Sequence, residues 1–240
     1  MAVDDVCHQS SPEPNPSTNV QQLLAFYHKA YWELRALCLG LTDETASKKP
    51  GEEEWSIKEV IQHTLDADWS FYGIFIYTYR LRGTRKDWNT EKIPESFFDL
   101  HFSDAGLYDE QAFEGDLTHL LGLYEKLHRQ IMLELRTFRD EQFQDNLHYW
   151  EPQPMKARFR LIRFEAHLRQ HSIQVQKTLS ALGYESSGEV RQLVKLCLQA
   201  FADLDAVLLF HPELNPERIR QYWNKNVKQY LEVILSALPA

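Results

Sequence analysis

From Val20 onward the apolar residues of this chain recur every three or four positions, and no stretch alternates convincingly between apolar and polar. That spacing admits amphipathic helices and argues against a sheet. Val20, Leu23, Leu24, Tyr27, Tyr31, Leu34, Cys38 and Leu41 form a first stripe. A polar loop, "TDETASKKPGEEE", leads to a second stripe of Ile57, Val60, Ile61, Thr64, Leu65, Phe71, Tyr72 and Phe75. Ser56 precedes it as a cap, with Glu59 three residues on as in a capping box, and Gly83 can close it. The third stripe runs Leu117, Leu120, Leu121, Tyr124, Leu127, Ile131, Leu135, Phe138. A linker with Pro152 and Pro154 enters a fourth helix, about 156 to 182, that stops at Gly183. Two further amphipathic helices follow, one from Val190 to Leu208 and one opening at Asn215-Pro216.

These elements predict an all-α fold: a four-helix bundle with a long crossover between helices 2 and 3 and extra C-terminal helices. Residues 1–17, with three prolines, read as a flexible lead, 18–184 as the bundle, and 185–240 as a helical extension packed on it. Residues 84–113 lack periodicity and are rich in aromatics and acids. Unstructured connections of that length are often functional.

Charge and cysteine usage narrow the function. A formal net charge of -9 argues against a nucleic-acid backbone or an anionic membrane as main partner. The local basic run Lys156, Arg158, Arg160, Arg163 reads as a solvated helix start. The three cysteines, Cys7, Cys38 and Cys197, form no CxxC pair and no disulfide framework, which fits a reducing compartment. Cys38 and Cys197 fall on apolar stripes and read as core. The N-terminus lacks the apolar segment of a signal peptide, and no apolar run has the length of a membrane span. The expected location is cytoplasmic.

Within "RFEAHLRQHSIQVQ" (163–176) two histidines sit four residues apart. At about 100° per residue, His167 and His171 lie about 40° apart, with Gln174 and Thr178 on the same stripe. Leu161, Phe164, Leu168, Val175, Leu179 and Leu182 make an apolar arc on one flank, and Phe159, Ile162, Ala166 and Ile173 make another on the opposite flank. Glu165, Arg169, Ser172 and Gln176 read as the solvent face. The histidine stripe is then expected to point into the bundle, where unpartnered polar groups cost stability. Imidazoles at i and i+4 can converge on one cation. The alternative is a pair of core histidines hydrogen-bonded to backbone or carboxylates.

A third ligand would favour the cation. His63 sits at the edge of the second stripe, followed by Asp66 and by Asp68, which falls at the centre of the apolar arc. A buried carboxylate there needs a cation or a hydrogen-bond donor. His128 lies on the third stripe and is the main competing histidine. His28, His119, His148 and His211 read as surface or edge residues, and His101 lies in the long loop.

With these residues in view the chain resembles the DinB family of four-helix-bundle metalloproteins. "GEEEWSIKEVIQHTLDAD" (51–68) is similar to that family's second-helix signature, and "HLRQHSIQVQKTLSALG" (167–183) to its fourth helix. The resemblance covers about residues 18–184. It implies that His63, His167 and His171 hold a divalent metal, zinc or nickel, and that the partner is a small molecule. That partner could be a low-molecular-weight thiol, and members often form homodimers. Three neutral histidines leave an open coordination position, which suits activation of water or thiol for hydrolysis or transfer. Leu168 follows the first histidine of the pair, so the motif brings no general base of its own. Asp66 or Asp68 could serve as base or hold a ligand, or act only in capping or ion pairing. Gln174 could orient a ligand histidine or a water, or simply pack. Tyr149 and Trp150 could line the pocket mouth or pack in the core. Two other function classes compete: a non-catalytic metal-binding or dimeric helical interaction protein, and a DNA-damage-response factor, against which the acidic balance counts.

Overall fold

A computed structural model of the chain describes residues 19–81, 114–147, 153–184 and 189–211, together with 214, 217 and 221. Its helices are α1 (Asn19–Leu37), α2 (Asp43–Ser47), α3 (Ile57–Leu81), α4 (Leu117–Leu135), α5 (Ala157–Ala181) and α6 (Glu189–Phe210). A 3-10 turn spans Asp140–Gln144, and β1 (Asn146–Leu147) pairs antiparallel with β2 (Met155–Lys156). Four of the five long helices, α1, α3, α4 and α5, form the expected all-α bundle. The crossover 84–113, the lead 1–17, Gly83 and the Asn215-Pro216 helix start lie outside the described residues.

Local chemistry explains where the elements begin and end. Ser56 and Glu59 form the expected reciprocal cap: the Ser56 N–H donates to Glu59 Oε2 at 2.7 Å, and the Glu59 N–H to Ser56 Oγ at 3.2 Å. Asp116 caps α4 by accepting from the His119 N–H at 2.8 Å. At the end of α5, Gly183 adopts φ 79°, its N–H donates to the Ser180 carbonyl, and the Tyr184 N–H donates to the Leu179 carbonyl. This Schellman closure satisfies two carbonyls of the last turn. It also aims Tyr184 back at α2, where its hydroxyl meets Thr45 Oγ1 at 2.8 Å. The one-turn α2 and the two-residue strands carry no period to read, so nothing in the pattern announced them.

Side-chain pairs give the order and direction of the helices. α1 meets α5 through Tyr27–Phe164 and Glu33–Arg169, so the two run parallel. α3 meets α5 through Phe71–His167 and Phe75–Phe164, which makes that pair antiparallel. α3 and α4 are parallel, through Asp68–Tyr124 and Tyr72–Gln130. α1 and α4 are antiparallel, through His28–His128 and Tyr31–Tyr124. Around the bundle the order is α1, α5, α3, α4, so α1 and α3 sit diagonally opposite, as do α4 and α5. A parallel neighbouring pair such as α3 and α4 cannot be joined by a tight turn, which is the reason such bundles carry a crossover.

α6 lies on the outside of α1. Lys29 reaches Asp203 at 2.8 Å, and Lys195 reaches Glu33 Oε1 at 2.7 Å while Arg169 takes Glu33 Oε2 at 2.9 Å. Glu33 thus joins α1, α5 and α6. This arrangement overturns part of the expected orientation of α5. Ser172 is buried, and Glu165, Arg169 and Gln176 are half-covered, because that sector faces α1 rather than solvent. Phe159, Ile162, Ala166 and Ile173, expected to flank the histidines inside the bundle, are exposed. Arg160, expected to be solvated, is buried. Cys38 is buried, as expected; Cys197 is only partly so, and neither is in a disulfide. No described helix is long and apolar enough to cross a membrane.

At Gly183 a Cβ would meet nothing within 4 Å, so replacement strains the backbone without a clash. A left-handed conformation costs an L-residue about 1–2 kcal/mol. Gly183→Ala is expected to lower the urea-unfolding midpoint accordingly; an unchanged midpoint would mean that the turn relaxes at no cost.

Candidate metal centre

His63 lies in the second turn of α3, and His167 and His171 sit one turn apart in the middle of α5. Because α3 and α5 run antiparallel in contact, the early part of α3 meets the later part of α5. The three rings therefore converge. His167 Nε2 is 3.2 Å from His63 Nε2 and 3.0 Å from His171 Nε2, and one ligand nitrogen from each ring lies within 4.8 Å of the others. His167 and His171 are buried and His63 is half-buried. These are the three residues singled out in the sequence, and they could hold a metal ion.

Protonation chemistry makes a cation the natural partner of this cluster. His171 Nδ1 is 2.8 Å from Gln174 Oε1, a pure acceptor, so Nδ1 carries the proton and the Nε2 lone pair points at the other rings. His167 Nε2 faces two ring nitrogens and has at most one proton to share between them. Adding protons does not relieve the crowding. Burial holds His167 down to about 3, helped by the charges of His171, His63 and Arg163. Burial also lowers His171, with the Gln174 hydrogen bond opposing and His63 reinforcing. Neutral imidazoles with lone pairs aimed at one point are what a divalent ion requires. His167 Nδ1 is buried with no hydrogen-bond partner among the described residues.

The cluster forms the floor of a cleft of about 710 Å³. The α5 side contributes Arg163, Gln170, Gln174, Lys177, Thr178 and Ala181, and the loop before α3 contributes Pro50, Glu53, Glu54 and Trp55. Trp55 stands with its ring centre 4.9 Å from His63 and 6.3 Å from His171, almost parallel to the latter. Its place on the cleft was missed in reading the residues, because it depends on what lies across the gap; the ring is 40% exposed. Arg163, first read as part of a solvated helix start, is also a wall of the cleft.

Neither aspartate lines the cleft. Asp66 is exposed. Asp68 is fully buried, as the geometry of the stripe required, but its Oδ2 accepts from Tyr27 Oη at 2.8 Å and Tyr124 Oη at 2.7 Å, in the bundle interior. Tyr149 and Trp150, like His101 and His148, lie outside the described residues. His128 is a core histidine, stacked on Tyr31 at 3.8 Å with burial and the neighbouring His28 holding its pKa well below the usual range. His28, expected at the surface or an edge, instead faces His128 Nε2 with its Nδ1 at 2.8 Å, and its Nε2 is 3.7 Å from Asp205 on α6. His119 is exposed and His211 half-buried.

Comparison with known proteins adds two likenesses. The model of a family described as the DinB superfamily matches residues 27–175. Among solved structures the fold is similar to that of YfiT from Bacillus subtilis, at a TM-score of 0.51 and 16% identity, covering 73% of this chain and 95% of that one. YfiT is described as a probable metal-dependent hydrolase with an unusual four-helix bundle topology. No curated protein matches the chain.

Burial pushes the Asp68 carboxyl up to about 7, against the Tyr124 and Tyr27 hydroxyls, which favour its ionised form. In the unfolded chain it ionises near pH ~4. Between about pH 4 and 7 the folded chain therefore holds a proton that the unfolded chain has released, so this group's contribution to stability falls as pH rises through that window and is constant above it. The difference in urea midpoint between wild type and Asp68→Asn is expected to shift in favour of the variant from pH 5 to pH 8. A difference independent of pH would show that Asp68 ionises normally.

Proposed function

The chain belongs to the DinB superfamily, and on that premise we propose that it is a metal-dependent enzyme acting on a small molecule. His63, His167 and His171 are the proposed protein ligands of a divalent cation, zinc or nickel. The observation that carries this reading is the convergence of three imidazole nitrogens within 4.8 Å on the floor of an open cleft. A cation held there supplies Lewis acidity, which lowers the pKa of a water or a thiol reaching its free position.

The chain's own residues divide the remaining work. Gln174 holds the proton on His171 Nδ1 and so keeps Nε2 available as a donor atom. Burial keeps His167 neutral at physiological pH, so no proton has to leave it before it binds. Trp55 walls the cleft and limits water access to the floor. Of the acids considered, Asp68 is committed to Tyr27 and Tyr124, and we assign the acceptance of a proton from the nucleophile to Glu53 or Glu54, the carboxylates that line the cleft. Hydrolysis and thiol-dependent transfer are the two reactions this arrangement suits. The hydrolase reading is supported by the likeness to YfiT; a low-molecular-weight thiol as second reactant and a homodimeric assembly rest on the family resemblance. The free Cys38 and Cys197 support a reducing compartment, and we place the protein in the cytoplasm.

The purified chain is expected to carry about one equivalent of divalent metal by elemental analysis. His63→Ala and His171→Ala should each lose it on dialysis against a weak chelator. Gln174→Ala should keep the stoichiometry but weaken affinity by about 10–100-fold. Full occupancy surviving both histidine changes would overturn the assignment. A hydrolysis and thiol-transfer screen on the metal-loaded protein then separates the two reactions.

A further inference from the structure

The walls of the cleft carry information about what enters it. Arg163 lies one turn before His167 on α5, about 6 Å along the helix axis. Its guanidinium sits 5.9 Å from the centre of the Phe71 ring, and that ring in turn stands edge-on to His167 at 5.7 Å. The cation therefore lies over an aromatic face beside the three histidines, on a side chain that stays exposed to solvent and so open to a guest. It makes no ion pair with any described residue, whereas Arg169, on the same helix, is paired with Glu33 and Glu165. A guanidinium with no ion pair among the described residues, held over a ring next to a cluster of lone-pair donors in a cleft, is a ready receptor for a planar anion. Glu53 and Glu54 on the loop before α3 line the same cleft and disfavour a multiply charged guest.

We propose that Arg163 is the anion anchor of the cleft, binding a single carboxylate of the small-molecule substrate while the substrate's reacting atom lies over the three histidine Nε2 atoms. This rests on the metal-site reading above and specifies its substrate class: a compact monocarboxylate whose reactive group is about one helical turn from its charge. The α5 backbone sets that spacing. Lys177 also lines the cleft, but it lies six residues beyond His171, about 9 Å along the helix, and has no aromatic seat of this kind among the described residues. Arginine's two-pronged geometry matches a carboxylate, which lysine's does not.

The probes are three small thiols that bind a metal through the same sulfur and differ in the charge of the tail: 3-mercaptopropionate, 2-mercaptoethanol and cysteamine. The full chain is loaded with cobalt, and each thiol is titrated while the thiolate-to-cobalt absorption is followed. In the wild type 3-mercaptopropionate should bind tightest and cysteamine weakest, after correction for the fraction of each present as thiolate. In Arg163→Gln the preference for 3-mercaptopropionate over 2-mercaptoethanol should fall by about fivefold, with cobalt uptake and 2-mercaptoethanol affinity unchanged. Arg163→Lys should lie between the two, and Lys177→Gln should keep the wild-type preference. Undiminished preference in Arg163→Gln with normal cobalt uptake would overturn the anchor alone, as would loss of preference in Lys177→Gln instead. Failure of the wild type to take up cobalt would overturn the metal-site reading beneath it.

Discussion

The packing of α3 against α5 is the contact on which the rest of this structure depends. Phe71 meets Phe164 edge-on at 5.5 Å and Phe75 packs on the same ring at 6.3 Å. Those aromatic contacts fix the register between two antiparallel helices. Because the register is fixed, His63, two turns before Phe71, arrives opposite His167 and His171 rather than one turn away from them. A slip of one turn, about 5.4 Å, exceeds the separation between the rings and would scatter them. The same aromatic layer exposes one face of Phe71 to Arg163. Core packing and cleft chemistry thus share residues, and the site inherits its precision from the bundle.

A second polar group lies in the interior and has a different character. Tyr27 and Tyr124 close on Asp68 from α1 and α4, while burial raises both tyrosines well above their usual range and leaves Asp68 near neutrality. A carboxyl flanked by two hydroxyl donors is a connector: it ties three helices together at one point and specifies how they are spaced. The histidine cluster instead has mutually facing lone pairs and an open side. Asp68 Oδ2 takes both of its donors from within the chain, whereas the histidine nitrogens face one another across an open side.

Much of this was legible in the residues. The periods of the four long helices, the Ser56–Glu59 cap, the stop at Gly183 and the placing of Asp68 in the interior all follow from spacing and local chemistry. Spacing made His63 a candidate third ligand, and its grouping with His167 and His171 came from the resemblance carried by the two motif stretches. The errors have one physical source. A helical projection shows that α5 carries two apolar arcs and one polar sector, but it does not say which neighbours cover them. Glu165 and Arg169 looked like a solvent face, yet Glu33 on α1 supplies the charge that lets this sector be covered. Phe159 and Ile173 looked like core, yet no described helix packs over them. Arg163 and Trp55 were likewise invisible as cleft walls, since their role comes from what lies across the gap and not from their own sequence neighbours.

The ring order of the helices has a consequence for how the molecule comes to exist. Since α1 and α3 sit diagonally opposite, as do α4 and α5, those successive helices cannot zip up as a local hairpin. The partner of α1 is α5, more than a hundred residues downstream, and only when it arrives do the two halves of the bundle close. Proteins dominated by such distant contacts pass through a slower search, because chain entropy is lost before contacts compensate for it. The last helix of the bundle to leave the ribosome is also the one that carries His167 and His171, so the event that closes the bundle and the event that brings the three histidines together are the same.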